Sequence, residues 1–412
     1  MKAHRFRAEL TADQQRWAAR AAGTNRWVFN EARKYCHEEH KKGNKYPGFA
    51  GLCKKLTEWR TQYLWLKEGN AQAQQQAIAD FDNSMQRFFK KLGGRPKKKT
   101  RKKSTPSMRF PQGSKMETKK LSRGDSEIHL PKIGDVRFRQ SQEIEGNIRQ
   151  TTLKRDRLYN WDIVILTDAV APAVDKDARR HLPDVGIDMG VARTATLSDG
   201  RFFSVPTPTK KEEAHHRKLK RRLSRREKGS KRRERARLAV AKVEQKWSNR
   251  RKDVLHKEST RITRENQAVY VEDLKVNNMT KRVRGKERAA KAGLNKAILQ
   301  QGWGMFHGML SYKKARLGEV FGKSNPAFTS QTCSQPGCGH CETGNRPSQA
   351  VFHCLKCGHT ENADTNASKN ILAEGRSATA RGRSLRPVTT GTSVRAKLAG
   401  RLKREPTGVS VA

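Results

Sequence analysis

Residues 352–371 read FHCLKCGHTENADTNASKNI. Cys354 and Cys357 are spaced as half of a tetrahedral metal site. Seven positions after Cys357 comes Asp364, at the start of a segment with helical spacing. A metal knuckle set directly against a lone acid at a helix start is an unusual arrangement, and its reading governs the rest of the chain.

The other half of the knuckle lies upstream. Cys333-x4-Cys338 and Cys354-x2-Cys357 are two pairs separated by a short loop, and each second cysteine precedes a glycine. Glycine lets backbone amides turn toward thiolates. Four thiolates in this arrangement suit structural Zn²⁺, with no coordination position left open for catalysis. Cys338-x2-Cys341 is a legal pair too. Cys333 is preferred because Cys338-Gly339-His340 repeats Cys357-Gly358-His359, which leaves Cys341 a spare thiol. The chain has seven cysteines, five of them between 333 and 357. That clustering marks a metal site in a reducing compartment, not a disulfide framework. Cys36 and Cys53 read as ordinary buried thiols.

Two further acids share the context of Asp364. In DVGIDMG (184–190), Asp188 ends a buried strand flanked by glycines; in AVYVEDLKV (268–276), Glu272 closes an apolar strand. Asp273, its neighbour, points the other way along the strand. Asp364 opens a helix whose dipole favours the ionised form. Singly, each acid is an unexceptional turn or cap residue. Together, three converging carboxylates repel unless a divalent cation such as Mg²⁺ holds them. Two such ions clamp the attacking and leaving oxygens of a phosphodiester.

Charge points to the substrate. The 412 residues carry 89 Lys and Arg against 40 Asp and Glu, a net +49. Self-repulsion on that scale calls for a polyanion; a 20-bp nucleic-acid duplex carries about 40 phosphates. Binding through such contacts weakens steeply with salt. A membrane partner is not expected. The apolar run 162–174 is broken by Asp168 and Pro172, and MKAHRFRAEL at the N-terminus lacks a signal-peptide core.

The remaining chain divides by pattern. Residues 1–92 read mostly as helix, with a capping box at TADQ (11–14). Ile78, Phe81, Met85, Phe88 and Phe89 form one stripe, read as core. Residues 93–120 break the pattern with Gly, Pro and a lysine run, as a solvated linker or a phosphate-contacting arm. Residues 121–180 alternate as short strands of a small β-barrel or sheet. ARTATLSDGRFFSV (192–205) is a hairpin turning at Ser198-Asp199-Gly200. Residues 209–262 form a basic helical hairpin with too few acids for internal pairing, so its charged faces suit phosphates. Residues 295–319 read as one amphipathic helix, and 377–412 as a disordered basic tail.

GIDMG with Asp188, VEDL with Glu272, and TSQTC…CG…FHCLKCG…ADTNASKNI with Asp364 resemble TnpB, the RNA-guided nuclease family of bacterial insertion sequences. The same motifs occur in the RuvC domains of type V CRISPR effectors. TNRWVFN (24–30), FF…GRP, LPKIG (130–134) and GWGMFHGMLSYKKA (302–315) also fit, so the resemblance spans nearly the whole chain. The first knuckle departs from it, with four residues between its cysteines where two are usual. The acid order Asp…Glu…Asp is that of RuvC; DDE transposases run Asp…Asp…Glu.

The resemblance implies an α/β multidomain protein. An RNase H-like (RuvC) nuclease domain spans 181–328 and 361–376, with a zinc ribbon inserted at 329–360. A wedge-like β-barrel takes 1–10 and 105–180, a helical recognition region 11–104, and the tail 377–412. It further implies a guide RNA from the transposon end, double-stranded target DNA cut beside a short target-adjacent motif, and a monomer in the ribonucleoprotein. Asp188, Glu272 and Asp364 would be catalytic Mg²⁺ (or Mn²⁺) ligands. Cys333, Cys338, Cys354 and Cys357 would hold structural Zn²⁺. The implied location is the bacterial or archaeal cytoplasm, on the nucleoid. The rival readings are an RNA-guided DNA-binding regulator that does not cleave, and a guide-free RuvC-type nuclease reading DNA structure.

Overall fold

The computed structural model describes residues 1–101, 104–113, 116–121, 124–169, 176–283, 285 and 287–380. The chain divides into two compact units, 1–172 and 173–412.

In the first unit, β1 (Lys2–Glu9) leads into α1 (Ala12–Lys41). The capping box forms as the sequence predicts: Thr11 Oγ1 accepts from the Gln14 backbone N–H, and the Gln14 side chain accepts from that of Thr11. Helices α2 (Gly48–Gln62) and α3 (Ala71–Phe89) follow. Then come β2 (Ser107–Phe110), β3 (Thr118–Lys120), β4 (Asp125–Leu130), β5 (Gly134–Arg139), β6 (Ile148–Arg155) and β7 (Trp161–Thr167). These strands pair antiparallel in the order β2-β6-β7-β1-β5-β4-β3, so the N-terminal strand sits mid-sheet. Among the described residues no hydrogen-bonded ladder joins β2 to β3 at the two edges of this sheet. Its alternating inward residues, among them Phe6, Ile128, Phe138, Leu153 and Ile163, pack with Ala18, Ala21 and Ala22 of α1.

A second core joins the three helices around Phe29, Leu52, Trp59 and Phe81. Here the sequence stripe needs correcting. Ile78, Phe81 and Met85 are buried, but Phe88 and Phe89 are exposed where α3 ends. Residues 95–99 are not a free linker. Asn30 clasps both backbone groups of Lys99, Arg33 Nε donates to Pro96 O, and the Lys99 ammonium lies over the Phe29 ring. The segment is a strap laid along α1.

In the second unit, α4 (Lys176–Arg180) precedes β8 (Val185–Asp188), β9 (Ala195–Leu197) and β10 (Phe202–Phe203). The hairpin α5 (Lys210–Ser224) and α6 (Lys231–Glu265) follows, then β11 (Val269–Glu272) and α7 (Val276–Met279). The single helix anticipated over 295–319 is two, α8 (Arg288–Gln301) and α9 (Trp303–Leu317), because Gly302 turns left-handed at φ +76° between them. Next are β12 (Phe321–Ser324), the short ribbon β13 (Val351–His353) and β14 (Thr360–Asn362), and α10 (Ala363–Ala380). The tail expected from 377 therefore starts as helix, and its part from 381 on lies outside the described residues.

The five-stranded sheet runs β10-β9-β8-β11-β12. The hairpin strands β8 to β10 are antiparallel; β11 and β12 join β8 in parallel. Val185, Ile187, Val269 and Val271 share a core with Leu255 and Ile262 of α6 and Phe306 and Leu310 of α9. Strand alternation sends Gly186, Asp188, Tyr270 and Glu272 to the opposite face, and α10 covers it. Two glycines permit the approach. A Cβ on Gly186 would lie 2.1 Å from the Ser368 carbonyl oxygen, and one on Gly375 would lie 2.3 Å from the Tyr270 ring. Among the described residues, no helix is long and apolar enough to cross a membrane.

Candidate active site and cysteine knuckle

The carboxylates sit where this geometry sends them. β8 and β11 pair through Ile187 and Val271, so Asp188 and Glu272, the last residue of each strand, stand next in register on the α10 face. Asp364 lies in the first turn of α10, whose opening N–H groups, those of Asp364 and Thr365, donate to Asn362 Oδ1. Asp273 faces away: Lys323 binds it at 2.7 Å on the α9 side.

Asp188 lies within electrostatic reach of the other two acids. The Asp188 pKa is pushed up to about 7, first by burial, then by the Glu272 and Asp364 carboxylates. Burial also raises Glu272, which is 7% exposed. Against that, Thr329 Oγ1 donates to Glu272 Oε1 at 2.8 Å and steadies its charged form. Arg346, from the cysteine segment, stands 3.7 Å from Asp364. On β12, Ser324 pairs in register with Glu272, and its buried hydroxyl finds no hydrogen-bond partner among the described residues. A buried carboxyl raised by two neighbouring carboxylates, with the Ser324 hydroxyl beside Glu272, fits divalent cations that carry water.

The cysteine site is tighter. Sγ atoms of Cys333, Cys338, Cys354 and Cys357 all lie within 4.8 Å of one another, with Cys333–Cys357 and Cys338–Cys354 at 3.7 Å. Four thiolates about 2.3 Å from a tetrahedral centre stand about 3.8 Å apart. A disulfide needs about 2.05 Å. The two halves repeat each other: Cys333 N–H donates to His340 O and Cys354 N–H to His359 O, each at 2.9 Å. The extra residues of the first half bulge between Cys333 and Cys338 without breaking that repeat. Cys341 is exposed and stands apart, bridged to Thr332.

α10 holds the knuckle against the acids. Asn366 Nδ2 donates to Thr332 O, and its Oδ1 accepts from the Ser334 N–H. Asn370 Nδ2 donates to both Thr329 O and Thr332 O. The sequence reading missed these residues. Two asparagines at i and i+4 in a helix interior, where Asn is a poor former, were the available signal. Thr329 and Arg346 left none.

Comparison with known proteins follows the same outline. Family models match at residues 172–283 ("Probable transposase"), 303–371 ("Cas12f1-like, TNB domain") and 1–45 ("Helix-turn-helix domain"). The chain is 35% identical to the "Putative RNA-guided DNA endonuclease InsQ" of Escherichia coli (strain K12), over 91% of this chain and 92% of that protein. It is 31% identical to a "Putative RNA-guided DNA endonuclease" of Streptomyces pristinaespiralis, over 94% and 92%. The solved Cas12f1-sgRNA-target DNA complex aligns with a TM-score of 0.53 at 17% identity, over 87% of this chain and 81% of that one, a likeness of fold.

Proposed function

The chain belongs to the TnpB-type family of RNA-guided DNA endonucleases, and from that premise we propose that Asp188, Glu272 and Asp364 are its catalytic carboxylates. The observation that carries this is their convergence on the α10 face, with Asp188 held near neutrality by burial and by the other two. The strand order β10-β9-β8-β11-β12 supports a RuvC-type, RNase H-like nuclease domain. The cysteine segment is then an insertion before the last acid.

The three carboxylates would hold Mg²⁺ or Mn²⁺, which supply Lewis-acid charge for phosphodiester hydrolysis. The chain's own residues prepare the place. Thr329 fixes one oxygen of Glu272. Asn362 sets the first turn that carries Asp364. Arg346 brings a guanidinium beside Asp364, matched in charge and shape to a phosphate. The four cysteines would hold Zn²⁺, closed to substrate and structural in role.

A guide RNA from the transposon end would lie on the basic surfaces, and base pairing would supply sequence specificity. The helical and β-sheet parts of the first unit would read the target-adjacent duplex. The protein would act as a monomer in the ribonucleoprotein, on the nucleoid of the bacterial or archaeal cytoplasm.

The test is to express the chain with its native flanking DNA, sequence the bound RNA, and challenge a matched plasmid. Wild type should cut; Asp188→Ala should bind the plasmid and leave it whole. Equal cutting by both would remove Asp188 from the site.

A further inference from the structure

We propose that Thr329 is a positioning residue for Glu272, and that Asn366 and Asn370 make its position answer to the cysteine knuckle. This rests on the reading that Glu272 holds a divalent cation.

A glutamate side chain has three rotatable bonds, so a strand end alone does not aim its carboxylate. Among the described residues the Thr329 hydroxyl reaches it at 2.8 Å, and both residues are only 7% exposed. Thr329 does not belong to the sheet. It lies in a turn leading from β12 into Cys333, and its backbone oxygen accepts from Asn370 Nδ2 at 2.9 Å. The same asparagine nitrogen reaches Thr332 O at 2.7 Å, where Asn366 donates as well. Asn366 then takes the N–H of Ser334, the residue after Cys333. Four side-chain bonds thus bind the stretch 329–334 to α10, whose first turn carries Asp364.

The backbone shows how firmly this turn is set. Phe328, immediately before Thr329, adopts φ +63°, a left-handed conformation unfavourable for a bulky residue. Its carbonyl accepts from the N–H groups of Gln331 and Thr332 and from Thr332 Oγ1. Such a conformation persists where the surroundings over-determine it. Here the asparagine clasp on one side and the knuckle on the other do so. The consequence is a mechanical link: closure of the four-cysteine site fixes 329–334, and Thr329 passes that register to Glu272.

The experiment uses full-length, guide-loaded protein without DNA, and measures Mn²⁺ affinity from the spin-resonance signal of the free ion. Thr329→Val should weaken affinity about 10- to 100-fold, the usual effect of losing a group that orients a metal ligand. Thr329→Ser keeps the hydroxyl and should stay within about threefold of wild type. Asn370→Ala should fall between them. Thermal melting and guide retention are followed in parallel, so a general loss of fold is seen as such; Thr329→Ala repeats the test if the valine variant melts early. Glu272→Gln separates the two ideas. If it leaves Mn²⁺ affinity intact, the carboxylate reading itself fails. If it weakens Mn²⁺ while a folded Thr329→Val binds as wild type does, the positioning role is overturned.

Discussion

Asp188 shows how a single residue sets opposing demands on stability and function. Its folded-state pKa of about 7 lies above the ordinary 3.8, through burial and then the charges of Glu272 and Asp364. The metal-free folded chain therefore binds more protons than the unfolded one between those values, and its stability falls as pH rises from about 4 to about 7. The displacement corresponds to at most about 4 kcal/mol. At pH 8 and without divalent ions, Asp188→Asn should melt higher than wild type. Added Mg²⁺ should raise the wild-type midpoint and leave the variant's unchanged. Differential scanning of both, with and without Mg²⁺, checks this; a variant that melts lower at pH 8 contradicts it. The local positions of the three acids were legible because each closes a recognisable pattern: a glycine-flanked strand, an apolar strand, a helix start. Thr329 and Arg346 were not, since their importance comes from a fold that returns a loop to the end of a distant strand.

Among the elements, α10 decides whether the site assembles. It must lie on β8 and β11 closely enough to bring Asp364 to Asp188, and Gly186 makes room for it. Gly186→Ala would put a methyl group against the backbone of Ser368 and Leu372, atoms that move only if the helix moves. The expected cost is about 1–3 kcal/mol, as for other overpacked interiors. Cleavage should drop further than stability, because the shift separates the acids. Urea unfolding alongside a cleavage assay tests the two effects. Unchanged cleavage in a destabilised variant would show that α10 need not sit so close. Short, strongly patterned elements, such as the hairpin around Gly200 and the Thr11 cap, could be read from local pattern. Long elements were misread. Residues 295–319 keep helical spacing on both sides of Gly302, so periodicity alone could not reveal the left-handed break. Residues 95–99 have linker composition, and only α1 itself, through Asn30 and Arg33, makes them a strap.

At the scale of the molecule, three short signals separated by 84 and 92 residues, at 188, 272 and 364, acquire meaning only when the second unit folds. The net charge of +49 identified the class of partner but no particular surface, since composition carries no geometry. The cysteine pairs were the most legible part of the chain, because metal ligation imposes spacing on sequence directly. The most direct measurement of the account is iron-mediated cleavage of the polypeptide. Fe²⁺ replaces Mg²⁺ in the guide-loaded protein, and ascorbate with peroxide then generates radicals that cut the backbone near the bound ion. The account expects cuts near 188, 272 and 364 together, all suppressed by excess Mg²⁺ and all absent in Asp188→Ala. Cuts at one of these positions alone, or cuts that Mg²⁺ does not suppress, would show that the three carboxylates do not share a cation site.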